Sequence, residues 1–109
     1  MPLLRMVVAL AFIIVSGTLS TASAQGQGFS RSIDRPGGDY RNFDIQGAGD
    51  AGAEACRAVC NRENRCRAWT FVKAGIQGAS ARCWLKSTVP SGRANPCCTS
   101  GVKGGQIID

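Results

Sequence analysis

Tyr40-Arg41-Asn42-Phe43-Asp44-Ile45 alternates between apolar and polar, the period of a strand with one buried face. Before it, Asp34-Arg35-Pro36-Gly37-Gly38-Asp39 predicts a turn: Pro presets φ and Gly accepts the positive φ that follows. After the Gly47-Ala48-Gly49 break the period changes to that of a helix. Gly52, Ala55, Cys56, Val59 and Cys60 form one stripe of mostly small residues, while Arg57, Asn61 and Arg62 face outward. Asp50 and Glu54 lie where a helix amino end favours negative charge. A helix of about three turns hardly forms alone in water, so a sheet must support it. Ala68-Trp69-Thr70-Phe71-Val72 and Arg82-Cys83-Trp84-Leu85-Lys86 have strand composition and flank a Gly-rich loop, which predicts a hairpin. A polar connection and then the short run Asn95 to Lys103, which can supply a closing strand, complete the pattern.

The chain opens differently. Met1-Pro2-Leu3-Leu4-Arg5 carries one basic residue, Met6 to Val15 is apolar, and Ala22-Ser23-Ala24 offers small side chains to a peptidase. These are the three parts of a secretory signal peptide, with cleavage expected after Ala24. The apolar run is too short for a bilayer, which needs about 20 residues. The expected organisation is therefore a signal over 1–24, a flexible lead-in over 25–33, one domain over 34–104 and a tail over 105–109. The protein is expected to be exported, to the periplasm or the medium, and not to span a membrane.

The remaining chain is short, and its large apolar residues are few beside 13 Gly. Such domains usually carry staples, and all six Cys fall after the cleavage site. An even count in an oxidising compartment reads as a disulfide framework, although six Cys admit 15 pairings. Spacing narrows them. Cys56 and Cys60 share a helix face, and each needs a partner elsewhere. Cys66 lies close beyond the helix end, and period 2 turns Cys83 and Leu85 toward the helix. This favours Cys56–Cys83 and Cys60–Cys66. The fold class expected is α+β, a small disulfide-stapled domain with an antiparallel sheet packed on one helix.

Composition also restricts the chemistry. With no His, a Ser-His or Cys-His nucleophile cannot be built. Asp34, Asp39 and Asp44 read as turn and strand-edge residues and not as a catalytic carboxylate pair. The Cys spacing lacks the Cys-x-x-Cys pairs of zinc sites and of thioredoxin-like redox motifs. No catalytic residue, metal ligand or cofactor is expected, and an enzyme is not. The net charge of +6 is spread without a like-charge run, which suits a solvated surface and gives no reason to expect a nucleic-acid partner.

Five segments in order, Asp34 to Tyr40, Cys56-Arg57-Ala58-Val59-Cys60, Cys66 to Phe71, Arg82 to Lys86 and Cys98-Thr99-Ser100-Gly101-Val102-Lys103, together resemble the PAN/apple superfamily in its short exported bacterial form. The resemblance implies a curved antiparallel sheet cradling one helix, the same two bridges, and a module that binds proteins or carbohydrates. Apple domains proper also tie their termini together with a third bridge. That bridge cannot form here, because no Cys precedes Cys56. Adjacent Cys97 and Cys98 admit three states: a vicinal disulfide, a link to another chain, or two thiols.

If Cys83 and Leu85 face the helix, Trp84 and Lys86 face away from it. Trp84, flanked by Arg82 and Lys86, is therefore the expected ligand anchor, with Trp69, Arg67, Arg41 and Lys73 as companions. The expected function is non-enzymatic recognition of a protein or glycan. The alternative is a secreted cationic effector or inhibitor.

Overall fold

The computed structural model describes residues 28–104. The expected signal, the first residues of the lead-in and the tail lie outside the described residues. Five strands form one antiparallel sheet: β1 (Phe29–Asp34), β2 (Asp39–Ile45), β3 (Ala68–Val72), β4 (Ala81–Lys86) and β5 (Arg93–Val102), in the order β1-β5-β3-β4-β2. One helix, α1 (Gly49–Arg62), crosses one face. Among the described residues no helix is long and apolar enough to cross a membrane. The small α+β, disulfide-stapled fold class is thus the observed one.

Two expectations change. Residues 29–33 are not lead-in but most of β1, and β5 starts at Arg93, two residues before the run expected from Asn95. Neither segment announces itself locally, because each is made by the other. They pair from Phe29↔Gly101 to Asp34↔Arg93 around a register shift, where Ser32 takes a φ of 60°. Phe29 then packs edge-on against Trp69, with ring centroids 6.0 Å apart.

The apolar core lies between α1 and the sheet. Register places Trp69 opposite Leu85 and Phe71 opposite Cys83, and all four are buried on the helix side. The buried helix positions are Gly52, Ala53, Cys56 and Cys60, so Ala53 and not Ala55 completes the inner stripe. Gly52 is required there: a Cβ at this position would come within 2.5 Å of the Phe71 ring. The amino end of α1 has no side-chain cap; Asp50 in its first turn instead pairs with Arg31 of β1. Two bridges fix the helix, Cys56–Cys83 to β4 and Cys60–Cys66 across its carboxyl end, with Cα separations of 5.4 and 5.2 Å.

The far face is not bare. Arg35, Thr70, Lys86 and Ser100 are all buried. Thr70 and Ser100 are register partners on adjacent strands, on the side away from Trp69 and Phe71. The turn between β1 and β2 and the segment after β4 fold together. Ser87 N–H donates to the Gly38 carbonyl at 2.9 Å, and Arg35 Nη1 donates to the Pro90 carbonyl at 2.9 Å. What these segments leave uncovered is a pocket.

Candidate functional site

The pocket opens on the far face of the sheet and has a volume of about 660 Å³. Its floor comes from alternate residues of the inner strands, Thr70 and Val72 of β3 with Trp84 and Lys86 of β4. One wall is the turn between β1 and β2, which contributes Asp34, Pro36, Gly37 and Asp39. A second is the β3–β4 loop, with Lys73, Ile76 and Gln77. The third is Asn95-Pro96-Cys97-Cys98, the part of β5 that has no partners in β1. Cys97 and Cys98 are bonded to each other. The Asn95 side chain accepts from the Cys97 N–H, and the Cys97 carbonyl accepts from the Lys73 N–H, each at 3.0 Å, so two walls are tied together.

Three groups set the chemistry of the floor. Trp84 is half-buried, and its Nε1–H donates to Gln77 Oε1 at 2.8 Å, which fixes the indole against the loop. The Lys86 side chain is only 3% exposed, and its ammonium donates to Asp39 Oδ1 at 2.5 Å and to the Gly37 carbonyl at 3.1 Å. Gly37 and Gly38 reach this position through φ angles of 100° and 73°. The buried Thr70 hydroxyl finds no hydrogen-bond partner among the described residues. At the wall, Asp34 Oδ1 accepts from the Arg35 N–H at 2.7 Å.

Of the residues expected at the site, Trp84, Lys86 and Lys73 meet at this pocket. The others lie elsewhere. Trp69 is a core residue with no exposed surface, because register puts it opposite Leu85 on the helix side. Arg82 shares the far face with Trp84 but is held by Asn42 and Asp44 of the edge strand β2. Arg41 is bound to Glu63 at the end of α1 and lies over the Phe43 ring. Arg67 is exposed ahead of β3 and outside the pocket. Lys86 departs from its expected role as an exposed hydrogen-bonding flank, since Asp39 and Gly37 bury it.

Sequence reasoning missed the two outer walls. The turn was legible as a turn, but nothing local shows that it folds back over the sheet. Asn95–Cys98 falls in the run expected to close the sheet, but nothing local shows that it forms a pocket wall. Asn-Pro followed by two Cys is an irregular signal for a strand, and it is the place where β5 departs from regular pairing.

Two further groupings complete the electrostatics. Ligand atoms of Asp34, Cys97 and Cys98 lie within 4.8 Å of one another. With the sulfurs joined in a disulfide they are not the thiolates that metal ligation requires. Around the helix, the hydrogen bond from Arg31 holds the Asp50 carboxyl below its ordinary range, and burial pushes the Tyr40 hydroxyl up.

A family model described as PAN domain matches residues 33–86, from the turn to the end of β4. The Asn95–Cys98 wall lies beyond the matched residues. No curated protein is significantly similar to this chain.

Proposed function

Because this chain belongs to the PAN domain family, we propose that it works outside the cytoplasm as a non-enzymatic binding module, whose protein or carbohydrate ligand sits in the far-face pocket against Trp84. PAN domains in general bind proteins or carbohydrates and are typically not enzymes. The observation that carries the assignment is the pocket itself. Its volume of about 660 Å³ falls inside the 300–1,000 Å³ typical of small-ligand sites. It joins an oriented indole and the apolar side chains of Val72 and Ile76 to a few fixed polar groups, the composition such sites usually have. The disulfide framework fits an oxidising compartment.

The reading as a cationic effector rests on net charge alone. The pocket does not share that charge: Lys73 and Lys86 face Asp34 and Asp39.

Trp84→Ala tests the assignment. A glycan and envelope-protein screen on the oxidised protein supplies the ligand, and titration calorimetry compares the two proteins. The variant should bind about 1–3 kcal/mol more weakly, as expected for an aromatic anchor, with an unchanged circular dichroism spectrum. Unaltered affinity places the site elsewhere. Loss of the fold would assign the indole to the scaffold.

A further inference from the structure

We infer that the pocket takes an uncharged, hydroxyl-rich ring, the end unit of a neutral saccharide, and neither an anionic glycan nor a peptide segment. This rests on the far-face pocket being the ligand site.

The first argument is charge. Two ammonium groups and two carboxylates line the pocket, and Lys86 is already committed to Asp39. No uncompensated positive field remains to favour a uronate or sulfate, despite the net charge of +6 on the chain.

The second is the kind of hydrogen bonding on offer. A sugar hydroxyl both donates and accepts, and it is best met by a mixture of donors and acceptors. The pocket supplies that mixture. The Thr70 hydroxyl can do either and has no partner among the described residues. Lys86 is spent on Asp39 and Gly37, so the ammonium donor left at the pocket is that of Lys73, exposed on the loop wall. The carboxylates of Asp34 and Asp39 accept.

The third is shape. Trp84 on β4 and Cys98 on β5 stand on either side of β3, two strand spacings apart or roughly 10 Å. A helix is about 10–12 Å across with its side chains and does not enter such a slot. An extended peptide binds sheets by pairing with a free edge. Here the floor strands β3 and β4 are each paired on both sides, so their backbones offer no edge. A single ring can lie flat on the indole with its hydroxyls toward Thr70 and the turn.

The test uses the oxidised protein against immobilised hexose-terminated neutral glycans, uronate-containing and sulfated glycans, and peptides. Neutral glycans should be retained, with affinity changing less than about threefold between low and high salt, because no net ionic contact is screened. Thr70→Val should weaken that binding about three- to tenfold, the effect of one lost hydrogen bond, without lowering the melting temperature, since the hydroxyl has no partner in the fold. A merely structural Thr70 would change stability and leave affinity alone, which overturns the inference. So does failure to retain any neutral glycan, or retention of anionic glycans alone with steep salt dependence. Trp84-dependent binding of a peptide would overturn the sugar assignment and leave the pocket as the binding site. Glycan binding indifferent to Trp84→Ala would overturn the pocket itself.

Discussion

Removing the Cys56–Cys83 bridge should cost more than removing Cys60–Cys66, and by a predictable margin. The first closes a span of 27 residues and ties the middle of α1 to β4; the second closes six. On the loop-closure relation these are worth about 3.6 and about 2.2 kcal/mol at 25 °C. All four Cys are buried, and Cys56 and Cys83 have no exposed surface. Each pair is best replaced by two Ala, so that no buried thiol is left behind. The transfer and packing terms of the two replacements are then alike, and the difference of about 1.4 kcal/mol reflects loop length. The measurement is urea denaturation of both double variants and the parent, followed by circular dichroism at 10 °C. Against a total stability of about 5–15 kcal/mol for an ordinary domain, Cys56→Ala/Cys83→Ala should shift the midpoint strongly toward lower urea. If it lost no more than the short-bridge variant, the long bridge would not be the fastening that holds helix to sheet.

Two other predictions test the helix and its surroundings. Gly52→Ala puts a methyl against the Phe71 ring at 2.5 Å and the Gly47 carbonyl at 2.8 Å; overpacking of this kind costs about 1–3 kcal/mol, so a neutral or stabilising result in thermal melts would contradict the tight helix–sheet contact. Asp50 should titrate below the range of an ordinary carboxylate, because the hydrogen bond from Arg31 favours its charged form. Since the folded value is the depressed one, the contribution is present above the unfolded pKa and lost as pH falls through the folded pKa. Carbon-13 detected NMR titration measures it directly, and Arg31→Ala should return it upward.

The elements that read clearly in sequence were those whose pattern is local. The hairpin strands β3 and β4 and the helix positions Cys56 and Cys60 follow from period and spacing, and the Trp84 side of β4 follows from alternation once Cys83 is turned inward. Trp69 did not read correctly, because its face depends on the register of β3 against β4 and not on its own neighbours. β1 and the front of β5 failed for a related reason. Phe29-Ser30-Arg31-Ser32-Ile33-Asp34 carries little apolar signal, and the strand exists because β5 and the Trp69 ring receive it. Lys86 was misread in a different way. Alternation gives the correct face, but only the fold shows that Asp39 and Gly37 come back to bury its ammonium. Turn chemistry identifies the bend at Pro36-Gly37, whereas the wall it builds is a long-range fact.

The two Trp residues provide the most direct test of the central claim, since their indole N–H resonances report opposite faces of one sheet. Trp69 Nε1 is sealed in the helix-side core, and Trp84 Nε1 is bound to Gln77 at the pocket. In nitrogen-15 correlation spectra of the oxidised protein titrated with the glycan or protein retained in the binding screen, the Trp84 indole signal should shift saturably, together with the amides of Thr70, Val72 and Cys98. The Trp69 indole signal should stay in place. Shifts confined to Trp69, to α1 or to the outer edge of β2, with the Trp84 indole unmoved at saturation, would contradict the assignment of the pocket as the binding site.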